Sequence, residues 1–81
     1  MDLDDKFNAI LSIAIIPQTV ALIAEKNGVD DITALNEFYQ SKVYELLSKE
    51  ETKMWHYSPM TLFMMWKHEK ETGEIVFPEE Q

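Results

Sequence analysis

The sequence predicts an all-α protein: a single domain over residues 1–81, built as a compact bundle of about four helices with a short extended C-terminal tail. Apolar residues recur at helical spacing along most of the chain. Helix stop and start signals, such as Asn27–Gly28 and Ser58–Pro59, divide it into segments. A chain of 81 residues has room for one domain only. Since it contains no cysteine, disulfides and thiolate metal sites are excluded, and a partner chain is the expected source of added stability.

The first helical segment is predicted over Leu3–Ile16. Its apolar stripe consists of Leu3, Phe7, Ile10 and Ala14. Residues 13–16 are apolar on every side, so we expect this part to be buried all round. Pro17 lacks a backbone donor and is expected to kink or break the helix. A second segment then runs to the stop signal at Asn27–Gly28.

The middle of the chain shows the clearest helical period. Asp30 or Asp31 is a suitable N-cap. The stripe that follows predicts one long helix and comprises Ile32, Leu35, Tyr39, Val43 and Leu46. Tyr39 is expected to be a structural anchor in the core with its hydroxyl at the edge. Tyr44 lies off the stripe and is a candidate for the surface.

The last helix has a well-defined predicted start and end. Ser58 is predicted to cap it, and Pro59 suits the first helical position. The helix should continue to about Thr72 and stop at Gly73. Before it, the segment EETKMW is expected to form a turn capped by Thr52 and Glu51 and anchored on the bundle by Trp55.

This last helix carries apolar residues around nearly its whole circumference, whereas a surface helix needs only one apolar face. Three interpretations stay open: ordinary core, a self-association face, and a groove for a different protein. Trp, Met and Phe are enriched in interface cores. The residues predicted to form an interface are Met60, Phe63, Met64, Met65 and Trp66.

The charge of the chain limits its partners. Fifteen acids against seven lysines give a net charge of −8, and there is no arginine. Such a chain repels phosphate backbones, so direct nucleic-acid binding is not expected. Acidic charge instead suits a basic protein. An alternative is that the carboxylates imitate nucleic acid and inhibit a DNA- or RNA-binding protein.

No motif predicts an enzyme, a cofactor or a metal site. The two histidines, His56 and His68, are twelve residues apart, which is not a diagnostic ligand spacing. Ser58 beside His56 is better explained as a helix cap than as a nucleophile. With two glycines, the chain has no phosphate-binding loop.

A membrane location is not predicted either. Residues 7–24 contain no charge, but polar residues and Pro17 interrupt this stretch of 18, so a core helix is the better interpretation than a membrane span. The N-terminal residues lack the positive leader of a secretory signal, which predicts a cytoplasmic protein.

The segment from Phe38 to Ile75 contains the pattern F-Y-x-S, an aromatic residue, L-L, E-E-T-K-x-W and then S-P. Its positions are Phe38, Tyr39, Ser41, Tyr44, Leu46, Leu47, Glu50, Glu51, Thr52, Lys53, Trp55, Ser58 and Pro59. With this pattern the segment resembles a family of small uncharacterised helical proteins common in anaerobic bacteria. The resemblance implies a small helical fold and kinship with gene pairs in which a small protein accompanies a toxin-like enzyme. It transfers no catalytic residue.

Together these observations predict a small acidic protein–protein interaction module. We expect it to self-associate, with a homodimer as the simplest assembly. We also expect an antitoxin-like or accessory role beside a bacterial toxin-like protein.

Overall fold

The computed structural model describes residue 7 and residues 9–78, and within them it confirms an all-α fold of four helices without a strand. The helices are α1 (Ile16–Asn27), α2 (Asp31–Tyr39), α3 (Lys42–Leu47) and α4 (Pro59–Thr72). A π-helical turn, Leu11–Ile15, precedes α1, and two 3-10 turns, Glu50–Thr52 and Met54–His56, connect α3 to α4. Residues 74–78 form an irregular tail.

The chain continues as a helix through Pro17, so the expected break is absent. The turn before it is a π turn, in which the Ile16 N–H donates to the Leu11 carbonyl five residues back. Pro17 then lies in the first turn of α1, where a missing donor costs little. Helix α1 ends as predicted at Gly28, whose φ of 66° is left-handed.

The first segment is buried on one side only. Phe7, Leu11 and Ile15 face the core. Ile10 is 44% exposed and Ile13 is 78% exposed, so burial all round residues 13–16 is wrong. The predicted stripe began at Leu3, which lies outside the described residues.

The single long helix predicted in the middle of the chain is in fact two helices, α2 and α3. Asp30 caps α2 as predicted, accepting from the Thr33 N–H at 2.7 Å. Hydrogen bonds from the Thr33 side chain and backbone lower the pKa of the Asp30 carboxyl. Ser41 then adopts an extended backbone and starts α3 by accepting from the Tyr44 N–H at 3.0 Å.

The break changes which residues face the core. The buried positions of α2 and α3 are Ala34, Phe38, Val43 and Leu47. Of the predicted stripe, only Val43 is fully buried, whereas Ile32 is 72% exposed and Tyr39 is 46% exposed. Tyr39 is therefore not a core anchor.

The connector and α4 follow the prediction closely. Ser58 accepts from the Thr61 N–H at 3.1 Å, Pro59 begins the helix, and Gly73 ends it at a left-handed φ of 80°. In the connector, the Thr52 hydroxyl lies 2.7 Å from the Leu46 carbonyl oxygen and 2.8 Å from that of Lys49.

The core lies where α1 packs against α2 and α4, and α3 packs against α4. Its largest fully buried side chains are Trp66, Phe38, Ile23 and Leu47. In the tail, Ile75 packs against this core, while Phe77 remains 53% exposed.

Candidate interaction surfaces

The predicted interface on α4 divides into buried and exposed residues. Phe63, Met65 and Trp66 are at most 5% exposed and pack inside the chain's own core. They offer a partner almost no surface, so the structure corrects their assignment as interface residues. Met60 and Met64 are 44% and 62% exposed. For these two the interface remains a prediction.

Met60 and Met64 line a shallow groove, which we name the α4 groove. Its volume is about 450 Å³, and it is lined by Lys26, Met60, Phe63, Met64, Lys67, His68 and Glu71. Lys26 and Lys67 carry positive charges and Glu71 carries a negative one. The α4 groove is therefore a mixed apolar and charged surface.

The aromatic residues of the connector act as a structural anchor. Trp55 is half-buried and packs edge-on to the Phe7 ring, with the two centroids 6.5 Å apart. The His56 ring stacks on Trp55 at 4.0 Å. This arrangement agrees with the predicted role of Trp55 as the residue that holds the connector against the bundle.

The most exposed large apolar side chains of the described residues lie in the π turn before α1 and in α2, where the sequence predicts none. Ile13 and Ile32 are 78% and 72% exposed. Between the helices runs a groove of about 440 Å³, lined by Ile16, Pro17, Val20, Ala21, Asp31, Ile32, Leu35 and Tyr39. We name the groove and its exposed neighbours Ile10 and Ile13 the α1–α2 face.

This face has almost no charge. The part of the face before and on α1 contributes four exposed apolar residues of the uncharged stretch 7–24: Ile10, Ile13, Pro17 and Ala21. Asp31 is the one charged residue among those that line the groove. The sequence predicts a core helix for the uncharged stretch, because apolar residues lie on its exposed side as well as on its buried side.

The opposite side of the bundle is held together by charged groups. The Glu69 carboxylate accepts from the backbone N–H groups of Lys42 at 2.9 Å and Val43 at 3.0 Å. The Lys42 ammonium donates to the Gly73 carbonyl at 3.2 Å. Helix α4 thus caps the start of α3, since a carboxylate suits the positive end of a helix.

An ion pair joins α4 to α2. The Lys70 ammonium lies 3.2 Å from a Glu37 carboxylate oxygen and 5.6 Å from the centroid of the Trp66 ring. Because Glu37 and Glu69 bind groups of the same chain, their charges serve the fold and are less available to a partner.

The histidines do not take part in a recognisable reactive cluster. His56 stacks on Trp55, and His68 lies in the α4 groove. Across residues 7 and 9–78, no group of three or more His, Asp or Glu side chains is arranged to hold a metal ion. Within the same residues, no helix is long and apolar enough to cross a membrane.

Comparison of the chain with protein families, with curated proteins and with solved structures finds no match. The resemblance to the small bacterial family therefore stays a prediction, and so does the link to toxin-like gene pairs.

Proposed function

We propose that the protein is an acidic protein–protein interaction module that self-associates and serves as an accessory, antitoxin-like partner of a toxin-like protein. The observation that carries this proposal is the α1–α2 face. Two isoleucines more than 70% exposed beside an apolar groove are unusual for a monomer, because large apolar patches on a surface commonly mark interaction sites.

The free energy gained by burying these isoleucines is large enough to support the proposal. Burying one isoleucine side chain stabilises a complex by roughly 1.5–3 kcal/mol. In the free chain Ile13 and Ile32 are largely exposed, so most of this stabilisation is still available when a complex forms. A partner that covers both would recover enough free energy to offset part of the entropic cost of association.

The charge pattern supports a basic second partner. The net charge of −8 favours association with a positively charged protein through long-range attraction. A nucleic-acid mimic uses the same charge but needs carboxylates in rows on one face. Three of the fifteen carboxylates, those of Asp30, Glu37 and Glu69, bind groups of the same chain and are less available for such rows.

Self-association is tested by multi-angle light scattering over a concentration series. We expect the mass to rise from that of one 9.5 kDa chain toward twice that value as the concentration increases. A mass that stays at one chain up to about 300 µM would exclude a dimer with a micromolar dissociation constant.

The accessory role is tested separately by co-purification with the product of the neighbouring gene. We expect a basic, toxin-like protein to be retained at low salt and released as the salt concentration rises. If the chain neither self-associates nor retains that protein, the interaction module is wrong.

A further inference from the structure

We infer that a second copy of this chain docks on the α1–α2 face, with the two α1 helices antiparallel and related by a two-fold axis near Pro17. This inference rests on the proposed self-association and names the surface and the register that would produce it.

Charge identifies a second copy as the occupant. Two chains that each carry −8 repel one another over most of their surfaces. None of the 22 charged residues of the chain lies in residues 7–24. Copies that meet along this stretch therefore bring together the longest region of each chain that has no charged residue.

The rival surface is less suited to self-association. The α4 groove is lined by three charged residues, Lys26, Lys67 and Glu71, whereas the groove of the α1–α2 face is lined by one, Asp31. A contact between two α4 grooves would therefore remove more charged groups from water, at a larger desolvation cost.

The size of the α1–α2 face fits a small dimer interface. The helical stretch from Ile10 to Ala24 is about 22 Å long and α2 is about 14 Å long; at about 10 Å of width for each helix, the face covers about 360 Å² per copy. Two such faces give about 700 Å², which lies in the range of weak, transient associations. We therefore expect a weak dimer with a dissociation constant on the order of micromolar.

The shape of the face matches itself under a two-fold rotation. On α1 the exposed apolar residues Pro17 and Ala21 are four residues apart, which is a spacing found in seams between paired helices. Ile13, within the π turn Leu11–Ile15, and Ile10, before it, are the exposed apolar residues that precede them. Ile13 and Ala21 lie four residues on either side of Pro17. In an antiparallel pair centred on Pro17, the projecting Ile13 of each copy meets the small Ala21 of the other, as a self-complementary interface requires.

The experiment measures the dimer dissociation constant of wild type and five variants by sedimentation equilibrium; the fifth, Met64→Lys, probes the α4 groove. Ile13→Lys and Ala21→Glu each place a charge in the proposed seam. We expect each to weaken the dimer by at least about tenfold, because an unpaired charge would be buried. In the double variant the lysine of one copy faces the glutamate of the other, so we expect most of the affinity to return.

Val76→Lys is the matched control. Val76 is 55% exposed and lies in the tail, outside both grooves, so the same kind of substitution should leave the dissociation constant within about twofold of wild type. Circular dichroism checks that every variant is folded, as expected for substitutions at exposed positions.

The outcomes separate this inference from the proposed function. A wild-type dimer that withstands both single substitutions, or that Met64→Lys dissociates instead, overturns the α1–α2 face but leaves self-association standing. Loss of the dimer in both single variants without recovery in the double variant overturns the antiparallel register. A wild type that stays monomeric overturns the inference and the proposed self-association together.

Discussion

At the scale of single residues, Ser41 connects two helices with one hydroxyl. Its Oγ donates to the Phe38 carbonyl at 2.6 Å, at the end of α2, and accepts from the Tyr44 N–H at 3.0 Å, at the start of α3. The side chain is only 6% exposed, so water cannot readily replace these bonds. Ser41 therefore supplies both the stop of one helix and the start of the next.

We expect Ser41→Ala to lower the free energy of unfolding by about 1–2 kcal/mol, since it removes the N-cap of α3 and one of the hydrogen bonds that the Phe38 carbonyl accepts. The Ser41 backbone N–H still donates to that carbonyl at 3.1 Å. Urea denaturation measures the loss. Ser48→Ala is the matched control, because the Ser48 hydroxyl makes an exposed bond to the Glu45 carbonyl, and its removal should cost less than about 0.5 kcal/mol. Equal losses in the two variants would contradict the role given to Ser41.

At the scale of helices, the ends that depend on local chemistry were predictable, and the end that depends on a distant residue was not. Helix α4 begins at Ser58–Pro59 and ends at Gly73. Each signal consists of one or two adjacent residues, so the sequence pattern alone predicts both ends of the helix. The break at Ser41 is different. The start of α3 is also capped by Glu69, which is 26 residues beyond Val43, and no local pattern contains that contact.

This cap predicts how α3 responds to mutation. Glu69→Ala removes the acceptor for the Lys42 and Val43 N–H groups, and we expect a loss of about 1–2 kcal/mol, reduced by partial solvent exposure. Hydrogen exchange should speed up in α3 more than in α1. Glu71→Ala, on an exposed residue of the same helix, is the control and should leave exchange in α3 unchanged.

At the scale of the whole molecule, the fold class was predictable but the exposed apolar surface was not. Residues 13–16 and Met60–Trp66 are apolar on all sides, and composition cannot tell which side a neighbouring helix will cover. The bundle buries the α4 side chains Leu62, Phe63, Met65 and Trp66. It leaves Ile13, just before α1, and Ile32, on α2, exposed, so the candidate surface lies there.

The charge of the whole molecule predicts how salt affects each kind of assembly. Since two copies repel over most of their surfaces, raising the salt concentration screens the repulsion and should strengthen the self-associated dimer. Binding to a basic protein should weaken under the same change. Sedimentation at about 50 mM and about 300 mM salt measures the first effect, where the Debye length falls from more than 10 Å to below 8 Å. Weaker self-association at high salt would point to an interface made of opposite charges.

The π turn at Leu11–Ile15 also has a consequence for how the protein can evolve. A π turn holds one residue more than an α turn, so it behaves as a tolerated insertion within the helix. Deleting that residue would rotate everything before it by about 100° relative to α1. Phe7 would then turn away from Trp55, against which it now packs. We therefore expect relatives of this protein to vary in side chains along this turn more readily than in its length.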